Sequence, residues 1–152
     1  MKATDFHLAD QNGTFHQLYQ YLGSWVLVYF YPKDDTPGCT TEACKFRDSL
    51  ALLQRMGLVI LGISKDSVVS HKKFAQKYSL NFPILSDESR TTIKAYGAWG
   101  MKKFMGRSFE GTLRKSFLIG PTGEIVKEYD RVNPTIHAQE ILADVNTLRM
   151  NE

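Results

Sequence analysis

Hydrophobic and polar positions divide the chain into short segments whose period changes repeatedly. Trp25 to Tyr31 (W-V-L-V-Y-F-Y) and Leu58 to Ser64 (L-V-I-L-G-I-S) are near-continuous apolar runs bounded by turn residues. Their length and their β-branched and aromatic content predict buried central strands. Between them Cys39, Ala43, Phe46, Leu50 and Leu53 recur at helical spacing, which predicts a helix from about Pro37 to Met56 with Gly57 as its stop. A second helix is predicted over Ser67 to Tyr78, with Val68, Val69, Phe74 and Tyr78 turned inward. Phe6 to Leu8 and Thr14 to Leu18, joined through Asp10-Gln11-Asn12-Gly13, read as a small hairpin. Phe82 to Leu85 reads as a short strand and Asp87 to Tyr96 as a short helix, while Gly97 to Gly111 has no clear period and reads as a loop. Leu113 to Ile119 and Glu124 to Tyr129 flank Gly120-Pro121-Thr122-Gly123 as a second hairpin, with Arg114 inside its first strand. Pro134 opens a last helix that turns Ile141, Leu142, Val145 and Leu148 to one side. Strand–helix–strand–helix followed by hairpin–helix is the order of an α/β sandwich, a central mixed sheet flanked by helices with an N-terminal hairpin. Residues 1–152 are expected to form one domain.

Composition narrows the partners more than the fold. The 152 residues are 43% hydrophobic and 23% charged, with a net charge of +3, which is ordinary for a globular chain. Lys102, Lys103 and Arg107 are the densest basic patch, but no aromatic residues alternate with them in a nucleic-acid pattern, so they read as a solvated loop and no nucleic acid is expected. No apolar run reaches the ~18 residues of a membrane span. The first residues, M-K-A-T-D-F, do not resemble a signal peptide, so a cytoplasmic location is expected.

In that compartment two nearby cysteines suggest catalysis, redox sensing or metal binding rather than a structural bridge. The chain has two, Cys39 and Cys44. Their spacing is not that of a zinc site, so no metal is expected. Thr36-Pro37 predicts a hydroxyl cap followed by proline at the first helical position, which puts Cys39 on the inward stripe of the first turn. Unpaired N–H groups and the positive dipole end favour an anion there, hence a thiolate. From the residues alone, an inert packed thiol and a reactive one are equal readings of Cys39. In an intact helix the Cα atoms of residues five apart are roughly 8.6 Å apart. A disulfide wants about 4.4–6.8 Å, so bonding Cys39 to Cys44 is expected to unwind the helix start. His7, His16, His71 and His137 share no spacing with the cysteines and are expected at the surface or in turns.

Pro32, Thr36 and Cys39 make P-x-x-x-T-x-x-C, which resembles the active-site motif of the peroxiredoxins. The longer F-Y-P-K-D-D-T-P-G-C-T-T-E-A-C, with Y-G-A-W-G-M-K-K, G-T-L-R-K-S-F-L-I and the helix after Asn133-Pro134, is similar to the peroxiredoxin Q or bacterioferritin comigratory branch along nearly the whole chain. Thr4 and Ser116 depart from it, where a proline and a threonine are usual. The resemblance implies a thioredoxin-like fold and a thiol peroxidase needing no cofactor. By it Cys39 is the peroxidatic cysteine, Cys44 the resolving cysteine and Arg114 the active-site arginine. Thr36 and Pro32 shape the peroxide pocket with Gly38 beside them, and Glu42 holds the arginine. Trp99, with Phe104, is a candidate for the pocket mouth, although aromatics of this kind pack more often in a core. The resemblance also implies a peroxide substrate, thioredoxin or a glutaredoxin-like dithiol as reductant, and a monomer or weak dimer. A disulfide oxidoreductase acting on proteins and a redox-sensing protein that captures partners when oxidised are the competing classes; the first lacks C-x-x-C.

Overall fold

The computed structural model describes residues 1–150. The elements in chain order are β1 (His7–Ala9), β2 (Phe15–Gln17), a 3₁₀ turn (Leu18–Tyr21), β3 (Trp25–Phe30), α1 (Pro37–Arg55), β4 (Leu58–Ser64) and α2 (Val68–Tyr78). They continue as β5 (Ile84–Ser86), α3 (Thr91–Ala95), β6 (Trp99–Phe104), β7 (Arg107–Thr112), β8 (Lys115–Ile119), β9 (Ile125–Tyr129) and α4 (His137–Met150).

Seven strands form one sheet in the order β2-β1-β5-β4-β3-β8-β9. β3 and β5 run parallel to β4, and the outer pairings are antiparallel. β3 lies between β4 and β8, and all six of its residues are buried, as its unbroken apolar run requires. Successive strand residues point to opposite faces, so this one strand feeds two cores. Trp25, Leu27, Tyr29 and Tyr31 pack with α1, α2 and α4 through Phe46, Phe74 and Ile141. Val26, Val28 and Phe30 pack on the other face with Ile93 of α3, Phe6 and Phe117. Gly62 of β4 makes room for this arrangement: a Cβ there would lie 2.8–2.9 Å from the Tyr29 ring.

Several expectations are corrected. The stretch from 97 to 111 is not a loop. Trp99–Phe104 and Arg107–Thr112 pair as a separate two-stranded hairpin. Its turn, Met105-Gly106, has φ of 52° and 79°, the left-handed backbone of a two-residue hairpin turn. Lys and Met in its strands hid the period, because only part of one face is buried. Val69 points outward; the buried positions of α2 are His71, Phe74 and Ala75. His16, His71 and His137 are buried, not superficial, and His7 alone of the four is exposed. A carboxyl or hydroxyl partner makes each burial tolerable: Asp10 for His16, Asp34 for His71, Ser116 and Glu140 for His137.

Candidate active site

β3 delivers the chain to the site. Tyr31 continues its pairing through a bond from its N–H to the Ile63 carbonyl, and Pro32 ends it. The next residues are held from below. The Asp34 amide donates to Asp66, and its carboxylate receives Tyr31 OH at 2.6 Å, Ser70 Oγ at 2.8 Å and His71 Nδ1 at 2.7 Å. The other ring nitrogen of His71 faces the Leu85 carbonyl at 3.0 Å and must donate to it. Both ring nitrogens thus face oxygen atoms, so the imidazole ties the loop to β5. Asp35 follows at φ 57° and receives Lys77 Nζ and Tyr78 OH, each at 2.8 Å. Lys65 donates to the Pro32 carbonyl at 2.9 Å.

α1 then begins at Pro37. Thr36 occupies the cap position with extended backbone, but its side chain makes no capping bond. Its hydroxyl instead donates to the Lys33 carbonyl at 2.8 Å. The sequence reading of Thr36 as a side-chain cap is therefore corrected: its proton is committed to Lys33, and its lone pairs are left to accept. Without a capping oxygen, the N–H groups of Gly38 and Cys39 in the first turn keep their place for a negative atom.

Cys39 is 2% exposed, on the inward stripe of α1. Glu42 is one turn further along the same face and only 1% exposed. Arg114 reaches both. Its Nη2 donates to Cys39 Sγ at 3.2 Å and its Nη1 to Glu42 Oε1 at 2.7 Å. Arg114 is not inside a strand, as its sequence context suggested, but in the two-residue link between β7 and β8. That link frees its side chain from the in–out alternation of the strand. Gly38 leaves the space, since a Cβ there would sit 3.1 Å from Arg114 Nη2. α4 steadies the following strand through His137 Nε2 and Ser116 Oγ, 2.8 Å apart.

The charges are opposed by burial. Burial pushes the Glu42 carboxyl up to about 7, although the Arg114 guanidinium pulls it down. Arg114 itself is held charged by Glu42 and Cys39, against its own desolvation. The other Glu42 oxygen, Oε2, is buried with no partner among the described residues, and so is the Tyr29 hydroxyl.

Of the residues singled out in sequence, Cys39, Glu42, Arg114 and Gly38 are brought together, with Thr36 and Pro32 on the preceding loop. Cys44 is half-buried in intact α1, and both thiols are free. Trp99 is not placed at this cluster. It packs against the second core, lies under Arg90 and Lys94, and its Nε1 donates to Glu110. Phe104, its companion, is two-thirds exposed on the hairpin. Lys102, read as solvated, is half-buried. Its Nζ donates to the Thr112 carbonyl at 2.9 Å, and its charge is disfavoured by burial and by Arg114 but favoured by Cys39. Only the hairpin register reveals this, because it sets Lys102 opposite Phe109, on the face away from Trp99.

The sequence model of the AhpC/TSA family matches residues 1–128. The chain belongs to this family. It is a peroxiredoxin, a thiol-dependent peroxidase, of the Bcp or peroxiredoxin Q branch. The peroxiredoxin is 44% identical over 147 residues to a putative peroxiredoxin bcp of Haemophilus influenzae, covering 97% of this chain and 95% of that one. It is 41% identical over 141 residues to the peroxiredoxin Bcp of Bacillus subtilis, covering 93% and 90%. Its fold matches the Xanthomonas campestris bacterioferritin comigratory protein, studied for alkyl peroxide reduction, with a TM-score of 0.88 at 36% identity, covering 93% and 90%. No helix of residues 1–150 is long and apolar enough to cross a membrane.

Proposed function

We propose that Cys39 is the peroxidatic cysteine of this peroxiredoxin, that Cys44 resolves it, and that a dithiol protein of the thioredoxin or glutaredoxin type returns both to thiols. The observation that carries this reading is the Arg114 fork, with one N–H on the Cys39 sulfur and another on Glu42. The Cys39 thiolate attacks the distal oxygen of a hydroperoxide, the O–O bond breaks, and the leaving oxygen takes a proton to give water or an alcohol. Cys39 is left as a sulfenic acid. The Cys44 thiol displaces its hydroxyl as water, which forms the disulfide. An external dithiol then reduces that disulfide by exchange and is itself oxidised.

Ionisation alone is too small a lever. A thiol of ordinary pKa ~8.5 is already a few per cent thiolate at neutral pH, so full ionisation gains about 10- to 30-fold. The rest falls to groups placed where charge develops. As the O–O bond stretches, negative charge grows on both oxygens. The first-turn amides of α1 and the Arg114 guanidinium meet it, and each such donor can contribute ~3 kcal/mol. The Thr36 hydroxyl accepts the peroxide O–H and so orients the distal oxygen toward sulfur.

Hydrogen peroxide and organic hydroperoxides are the proposed substrates, supported by the alkyl peroxide reduction studied in the Xanthomonas relative. A protein disulfide is a poorer fit, since Cys39 is 2% exposed. A cycle that needs a thiol reductant suits a reducing compartment, so the cytoplasm is the proposed location, and a monomer or weak dimer the proposed state. Peroxide consumption with thioredoxin, thioredoxin reductase and NADPH tests the cycle. Cys39→Ser is expected to lose all turnover, and Cys44→Ser to keep one fast stoichiometric reaction. Retained turnover in Cys39→Ser would refute the assignment.

A further inference from the structure

Arg114 is one cation shared between two acids. Its two terminal nitrogens contact Cys39 Sγ and Glu42 Oε1. Glu42 is 1% exposed, and its second oxygen has no partner among the described residues. A buried carboxylate with an unmet oxygen beside a thiolate would place two negative charges against a single guanidinium. The ionisable groups around this pair are Tyr29 from β3, Cys39 on α1, Arg114 before β8, Lys102 from β6 and His137 from α4. Among them only Arg114 bonds the Glu42 carboxyl. The stable arrangement is therefore one negative charge per guanidinium.

We propose that Glu42 is the proton store of the peroxidase reaction, protonated while Cys39 is a thiolate and ionised once Cys39 is a sulfenic acid. This rests on the peroxidatic assignment of Cys39. The balance is Cys39–S⁻ + R–OOH + Glu42–COOH → Cys39–SOH + R–OH + Glu42–COO⁻. A sulfur electron pair forms the S–O bond, the O–O bond breaks, and the leaving oxygen ends with the proton that Glu42 releases. One negative charge faces Arg114 before and after, so the guanidinium is never left unpaired. Burial that holds the carboxyl near neutrality lets it give up this proton when the sulfur charge disappears. Glu42 contacts Arg114 rather than the peroxide, so it acts as a positioning and charge-balancing residue.

The test uses the full chain as Cys44→Ser, which stops at the sulfenic acid. One equivalent of hydrogen peroxide is added, and the infrared difference spectrum is recorded. The expected result is loss of a protonated-carboxyl C=O band and gain of a carboxylate band, both shifted by ¹³C-glutamate labelling and both absent in Glu42→Gln. In weak buffer, Glu42→Gln is expected to take up close to one proton per sulfenic acid from solvent. The Glu42 protein is expected to take up little below neutral pH and to approach one above it. A carboxyl spectrum unchanged while one equivalent of peroxide is consumed would overturn the proposal. The labelled spectrum decides the matter even if Glu42→Gln folds poorly. Failure to consume peroxide or to form a dimedone-reactive sulfenic acid would instead refute the peroxidatic role of Cys39.

Discussion

Glu42 sits where burial and charge are most opposed, and its effect on stability has a definite sign. Its carboxyl is raised from an ordinary 4.5 to about 7 in the folded protein. Between those values the folded state binds more protons than the unfolded chain, so stability falls as pH rises across that window. The full effect is ~3 kcal/mol. Glu42→Gln removes it. Urea denaturation should give equal or lower stability for Glu42→Gln near pH 4, and an advantage that grows through neutrality; a constant difference would contradict the assignment. At this scale the sequence was informative where spacing fixes geometry: it put Cys39 on the inward stripe of α1, whereas Glu42 was singled out by family resemblance. Arg114 was visible only through family resemblance, because nothing local says that a link rather than a strand carries it. The Thr36 hydroxyl was misread because a cap position licenses a bond to either the helix amides or an upstream carbonyl, and here the loop offered Lys33.

α1 carries both cysteines in one unbroken helix, a geometry that keeps them apart. Thiols five residues apart lie on different faces, with Cα atoms roughly 8.6 Å from each other. A disulfide between them therefore requires the first turns of α1 to unwind. Amide hydrogen exchange should rise over residues 37–46 in the oxidised protein and recover on reduction; equal protection in both states would rule this out. The helix and the central strands were legible because each buries a long, regular stripe. The β6–β7 hairpin was not, since exposed Met101, Phe104 and Met105 mix with lysines and blur the alternation. Its consequence for the site, the partly buried Lys102, was hidden with it.

The whole molecule ties the catalytic loop to the sheet through a buried hydrogen-bond network. His71 on α2 bonds Asp34 in the loop and Leu85 in β5, so three distant parts of the chain meet at one imidazole. His71→Phe takes from the buried Asp34 carboxyl one of its three side-chain partners. That should cost ~2 kcal/mol, or roughly 6 °C in Tm for a chain of this size. Adding Asp34→Asn should recover part of the loss; calorimetry showing additive losses would mean that the two residues are not coupled. No sequence pattern announces this pairing. A histidine on an apolar stripe and an aspartate in a polar loop are individually ordinary, and only the fold brings residues 34 and 71 together.

In the proposed cycle Arg114 stabilises the transition state rather than merely ionising Cys39. The measurement is the single-turnover rate of Cys39 oxidation by hydrogen peroxide in the Arg114→Ala and Arg114→Lys proteins, taken above the thiol titration so that ionisation is complete in all forms. A residual loss of ~10²-fold or more is expected for alanine, and a substantial loss for lysine, whose point charge cannot span sulfur and Glu42 together. Rates that return to that of the unsubstituted protein once the thiol is fully ionised would contradict it.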